Sequence, residues 1–266
     1  MTGVDVVVYV LIGLIGSFFS GMLGVGGAIL TYPLLYFVPP LFGAYAMSPI
    51  EISSATMFQV FASSGIGMLM YRRSPWFSRQ VVLIIGGGML FGSLVGGFLS
   101  GMIDGVVIHL LYGTMALAAV VIMVGGQRGE LSDEIGAGAV IDRSRAILLS
   151  SVVGILSGIV GAGGSFLLIP LMINVLKLPT RTAISCSLTI VFLSSIGGVI
   201  GKVSAGHTLY ALSFLLVIAS LVGSWIGAKV GQKMNVRLLR LVMIGVILLS
   251  ALQIWGELIW QWWVLR

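Results

Sequence analysis

Ser20-Gly21-Met22-Leu23-Gly24-Val25-Gly26-Gly27, with Pro33-Leu34 shortly after, returns later in the chain as Ser157-Gly158-Ile159-Val160-Gly161-Ala162-Gly163-Gly164 with Pro170-Leu171. Every matched pair lies 137 positions apart. Further on, Phe61-Ala62-Ser63-Ser64 pairs with Phe192-Leu193-Ser194-Ser195, and Gly92-Ser93-Leu94-Val95-Gly96 pairs with Gly223-Ser224-Trp225-Ile226-Gly227, both at an offset of 131. A constant offset held over whole motifs is the mark of a duplicated unit rather than of chance in a glycine-rich chain.

The surroundings of these motifs decide what kind of unit is duplicated. Of 266 residues, 58% are hydrophobic and 8% charged. Soluble domains carry roughly 25% charged residues, so this chain cannot cover itself in water, and lipid has to be its solvent. Runs of about 20 apolar residues, the length that crosses a bilayer as helix, recur from end to end. Uniform rather than alternating apolarity excludes spanning strands. The 38 glycines suit helices that approach closely within a membrane.

The sequence therefore predicts an all-α polytopic membrane protein made of two repeats, 1–124 and 146–266, each of about five helical segments. A polar linker, 125–145, joins them. The first charge is Asp5, with no basic stretch before it, so residues 1–23 read as the first helix rather than a cleaved leader. Orientation follows from charge. With five segments per repeat, the loops near 71–79, 125–146, 177–181 and 229–240 share a side. They hold Arg72, Arg73, Arg79, Arg128, Arg143, Arg145, Lys177, Arg181, Lys229, Lys233, Arg237 and Arg240, leaving only Lys202 and Arg266 of the 14 basic residues for the other. By the positive-inside rule the linker is cytoplasmic, both termini are external, and an odd number of segments inverts the second repeat. Basic residues placed singly at the ends of apolar runs signal topology, and no nucleic-acid patch is expected.

After each glycine motif comes an apolar segment of only 11 or 12 residues, about 17 Å of helix, too short to span. The motifs thus read as breaks that form broken or re-entrant helices. The start of the second piece offers free N–H groups and the positive end of a helix dipole, which favour an anion. Gly24, Gly26 and Gly27 with Gly161, Gly163 and Gly164 are the candidate backbone cradle. Thr56 and Gln59 on one helix, with Ser187 and Thr189 on its counterpart, are the candidate side-chain contacts. Gly88, Gly92 and Gly96, like Gly223, Gly227 and Gly231, recur every fourth residue and read as packing positions.

Catalysis finds little support. Asp104, Glu51 and Glu257 fall near segment ends, so there is no carboxylate relay at mid-membrane. His109 and His207 also flank segment ends and read as interfacial. The lone Cys186 reads as a core residue and rules out a CxxC metal site. No cofactor, metal or enzymatic activity is expected. Gly24-Val25-Gly26-Gly27 is not a dinucleotide loop, because no acidic residue follows at the required distance.

The doubled Gly-x-Gly-Gly followed by Pro-Leu, the Ser-Ser helix after it and the glycine-rich helix late in each half resemble the sulfite exporter TauE/SafE family, also called toluene sulfonate uptake permeases. The resemblance covers essentially the whole chain. It implies a carrier of small sulfur-containing anions in the cell inner membrane, such as sulfite or an organosulfonate like sulfoacetate. A channel, or a carrier of another small organic acid, is the alternative. The implied partners are the anion and the bilayer, and the sequence is compatible with a homo-oligomer.

Overall fold

The computed structural model describes residues 3–24, 26–125, 143–206 and 209–264. Most of the expected linker, and His207, lie outside these residues. The described chain forms ten α-helices and no strand. They are α1 (Gly3–Leu23), α2 (Ala28–Leu41), α3 (Pro49–Tyr71), α4 (Arg79–Leu99) and α5 (Gly105–Gly125), then α6 (Arg143–Val160), α7 (Ser165–Asn174), α8 (Thr180–Ala205), α9 (Tyr210–Lys233) and α10 (Val236–Val264). Eight are long and apolar enough to cross a membrane. The exceptions are α2, of 14 residues with Pro33, Pro39 and Pro40 inside it, and α7, of 10 residues with Pro170. These are the short segments that follow the glycine motifs.

Packing pairs the two halves in corresponding ways. The first helix of each half lies on the fourth of the other, α1 on α9 and α6 on α4, while α3 lies on α8 and α5 on α10. Glycine makes the first two contacts. A methyl group at Gly88 would meet Ser150, one at Gly92 the backbone of Ser151 and Ile155, and one at Gly96 the backbone of Ile155 and Ile159. The register rises on both helices, so α4 and α6 run parallel. Gly13 against Leu216 and Gly21 against Ser224 and Ala228 make α1 and α9 parallel in the same way. In contrast, Gly67 meets Leu188, Gly65 meets Phe192, and Gly198 meets Met57. The counterpart helices α3 and α8 therefore run antiparallel.

Hydroxyls tie two further helix pairs in matching ways, α4 to α8 and α9 to α3. Ser93 Oγ on α4 donates to the Ser194 carbonyl, and its counterpart Ser224 Oγ on α9 donates to the Ser63 carbonyl at 2.7 Å. The helix directions gather the end of α3, the starts of α4, α6, α8 and α10, and the end of α9 at one end of the bundle. Every basic residue of the described chain except Lys202 lies at or near this end, called the basic end below.

Candidate functional site

Each motif is a left-handed turn. Gly24, Gly26 and Gly27 have φ of 74°, 70° and 75°, and Gly161, Gly163 and Gly164 have 79°, 65° and 68°. Side chains rarely adopt this region, which is why glycine stands at the same three places twice. Gly27 and Gly164 cap α2 and α7, and neither cap uses a side-chain bond. At the positive end of each helix dipole, the Ala28 N–H donates to the Gly26 carbonyl, and the Leu30 and Leu167 N–H groups donate to the Gly27 and Gly164 carbonyls.

The turns lie within the bundle. Gly24 touches Ile184 and Ser187, the fifth and eighth residues of α8, while Gly161 touches Ser53, the fifth residue of α3. Gly163 is flanked by Val60 and Val191, about halfway along α3 and α8. The second turn thus runs from the second helical turn of α3 to its middle. All six glycines are buried.

The candidate hydroxyls serve the turn of the opposite repeat. Thr56 Oγ1, on α3, donates to the Gly161 carbonyl at 3.1 Å, and also to Ile52 and Ser53 carbonyls. Ser187 Oγ, on α8, donates to the Gly24 carbonyl at 3.0 Å and to Ile184 at 2.8 Å. Thr56 and Ser187 are equivalent at the 131 offset, so matching bonds, one to each turn, tie the turns to the facing repeat. Their protons point at protein carbonyls, which makes them supports of the turns.

Gln59 bonds to α1 just before the first turn, with Gly16 between it and Gly27. Its Nε2 donates to Ser17 Oγ at 2.9 Å and to the Gly13 carbonyl at 3.3 Å, two turns of α1 before the motif. Its Oε1 makes no hydrogen bond to the protein, and neither does buried Thr189 Oγ1. Ser20 Oγ, beside Gly27, bonds Ser63 Oγ at 3.2 Å. Their equivalents Ser157, beside Gly164, and Ser194 are both fully buried with Oγ atoms that bond nothing in the protein. The second cradle therefore holds spare hydroxyl donors.

Two residues differ from the sequence expectation. His109 is buried rather than interfacial, only 4% exposed. Its ring lies 4.6 Å from Tyr36, and Nδ1 faces Tyr32 Oη at 3.4 Å. Three tyrosines from α2 and α5 line this region, which supplied the apolar cover that its place near a helix start concealed. Lys202, counted among loop charges, is 1% exposed. Its Nζ donates to Ser53 Oγ at 2.5 Å and to the Ile159 carbonyl at 2.8 Å. Its equivalent in the first repeat is Tyr71, itself buried.

A cavity of about 410 Å³ opens at the basic end. Tyr71, Arg73, Ser74, Arg181, Ile184 and Ser185 are among its lining residues. Ile184, at the wall of this cavity, also packs beside Gly24 of the first turn. Among the described residues no cluster of acidic, histidine or cysteine side chains could hold a metal ion.

Glycine breaks inside a bundle of apolar spans, with a cavity at the basic end, belong to the class of membrane transporters. The chain matches the sulfite exporter TauE/SafE family model over residues 9–254 and belongs to that family. It is 26% identical over 250 residues to a probable membrane transporter protein of Methanocaldococcus jannaschii, covering 90% of this chain and 89% of that one. The probable membrane transporter protein YunE of Bacillus subtilis is 26% identical over 247 residues, 86% and 88% of the two chains. A probable membrane transporter protein of Xylella fastidiosa is 27% identical over 260 residues, 93% and 95%. No solved structure matches the chain. The protein is a multi-pass membrane transporter of the TauE/SafE family.

Proposed function

We propose that the protein carries a small sulfur oxyanion or organosulfonate, such as sulfite or sulfoacetate, outward across the cell inner membrane. The observation that carries this reading is the pair of left-handed glycine turns, each opening a short helix inside the bundle. Backbone N–H groups at a helix start hold an oxyanion without a buried cation. They also suit an ion that must leave again. Ser157 and Ser194 add two side-chain donors near the second turn. Burial of both turns favours a carrier over a continuous channel.

The antiparallel packing of α3 on α8 supports inverted repeats, and the basic end then faces the cytoplasm. With the inside negative, moving one anionic charge outward gains about 2.3 kcal/mol per 100 mV, which favours export. In this reading the cavity at Arg73 and Arg181 admits the anion, the glycine turns bind it, and Thr56 and Ser187 hold the turns in shape.

Binding of sulfite, sulfate, thiosulfate, taurine and sulfoacetate to purified protein, followed by flux in proteoliposomes, tests the reading. Saturable binding of at least one sulfur anion is expected, and indifference to all five would refute it. The orientation has its own check. A cysteine at Ser132, in protein carrying Cys186→Ser, should escape an impermeant thiol reagent added to intact cells and react once the membrane is opened. Labelling from outside would reverse the assignment.

A further inference from the structure

Lys202 carries an ammonium group into a site whose two hydrogen-bond partners, Ser53 Oγ and the Ile159 carbonyl, are uncharged. A buried charge without a counter-charge costs several kcal/mol, and ionisable groups inside membrane spans mark transport paths. Part of the compensation is visible. Ile159 is the penultimate residue of α6, so Lys202 faces the negative end of that helix dipole. Capping one helix does not by itself call for a cation, since the Ser53 hydroxyl already donates to the same Ile159 carbonyl at 2.9 Å.

The repeat relation shows what else the position is for. At the 131 offset, cavity-lining Tyr71, Ile184 and Ser185 correspond to Lys202, Ser53 and Ser54, and Ser74 corresponds to Ala205. The second group is shut. Lys202, Ser53 and Ser54 are at most 1% exposed. Lys202 is bonded across to α3 and α6, and a methyl group at Gly101 would stand 2.9 Å from Ala205 Cβ. Ser54 Oγ is buried there without a hydrogen bond to the protein, whereas its equivalent Ser185 pairs with Ser74 at 3.3 Å. Two matched halves hold matched sites, one open at the basic end and one closed at the other.

Resting on the anion-carrier reading above, we infer that Lys202, Ser53 and Ser54 form a second binding site for the oxyanion. It is closed in this structure and opens at the end opposite the basic cluster when the two repeats exchange conformations. In the closed state the ammonium is held by Ser53 and Ile159. When the outer half opens, it swings from the α6 carbonyl to the anion, and Ser54 supplies the additional hydroxyl. The inner site has a tyrosine where the outer has a lysine, so the outer site carries the cation that draws the anion off the glycine turns.

Sulfite flux and thiol labelling test this in proteoliposomes of the full chain. Ser54→Ala removes no hydrogen bond present in the structure, so it should leave the melting temperature unchanged and still raise the KM for sulfite several-fold. Lys202→Met should raise it about ten-fold or more, the 1.4 kcal/mol equivalent of one lost contact, with Lys202→Arg recovering part. If both Ser54→Ala and Lys202→Met keep the wild-type KM while Lys202→Met only melts earlier, Lys202 merely caps α6 and the second site does not exist.

The labelling arm does not depend on sulfite being carried. In Cys186→Ser protein, Ser54→Cys should react with an impermeant sulfonate-bearing thiol reagent added from the side opposite the basic end. Sulfite should slow that reaction where it is a substrate. Failure to label from that side, in protein of wild-type melting temperature, overturns the opening. Labelling of the Ser54→Cys protein from that side, together with no sulfite flux in the wild-type protein, would instead remove sulfite as the substrate and leave the outer site standing.

Discussion

Gly161→Ala should eliminate transport and destabilise the protein by about 2–6 kcal/mol. Two separate terms add here. A side chain at a φ of 79° is strained by about 1–3 kcal/mol. The added methyl also overlaps the Ser53 carbonyl oxygen, with Ser53 Oγ next to it, and overpacking adds about 1–3 kcal/mol. Relief requires α3 to move away from the turn, which breaks the Thr56 bond to Gly161 and disturbs Lys202 on Ser53. Gly43→Ala is the control. Its φ is 68°, but nothing lies within 4 Å of the new methyl, so only strain remains and anion affinity should hold. Thermal or denaturant unfolding in detergent, beside sulfite binding, reads both. Equal losses at Gly43 and Gly161 would mean that the cross-repeat contact contributes nothing.

That contact was half legible in the sequence. The glycine triplets, the short helices after them and the five-plus-five order come from local properties: turn chemistry, apolar length and a repeating offset. Thr56 and Ser187 could be picked as hydroxyls on equivalent helices, and the 131 offset already paired them. Their acceptors could not be read, because each donates to the opposite repeat across more than a hundred residues, and nothing local encodes that approach. Gln59 shows the reverse case. An amide in an apolar run has to find partners, but its equivalent is Ile190, and its bonds go to α1 rather than to the turns. Lys202 was hidden by position. Three residues from the end of its helix, a lysine ordinarily extends to the interface, and the partners that turn this one inward, Ser53 and the Ile159 carbonyl, come from α3 and α6.

Replacing Gly92 by leucine should prevent the protein from folding, whereas the same change at Gly87 should be nearly silent. Both glycines lie in α4, and both exchanges raise intrinsic helix propensity by a similar amount, so propensity cannot separate them. Space does. Around Gly87 nothing lies within 4 Å of an added Cβ, and leucine there would point into lipid. At Gly92 the Cβ would meet the Ser151 carbonyl oxygen, the Ile155 nitrogen 2.8 Å away and the backbone of Gly154. These are backbone atoms of α6, so no rotamer change can yield. Parting α4 from α6 would also separate Gly88, Gly96 and Gly158 from their neighbours, and close glycine contacts are what hold helices together where lipid supplies no hydrophobic drive. The yield of monodisperse protein in detergent should collapse for Gly92→Leu and stay near wild type for Gly87→Leu. Because α1 and α9 use the equivalent contact, Gly223→Leu, whose Cβ would stand 2.6 Å from the Leu14 carbonyl oxygen, should fail in the same way. A folded, transport-competent Gly92→Leu protein would show that the α4–α6 seam is not what joins the repeats.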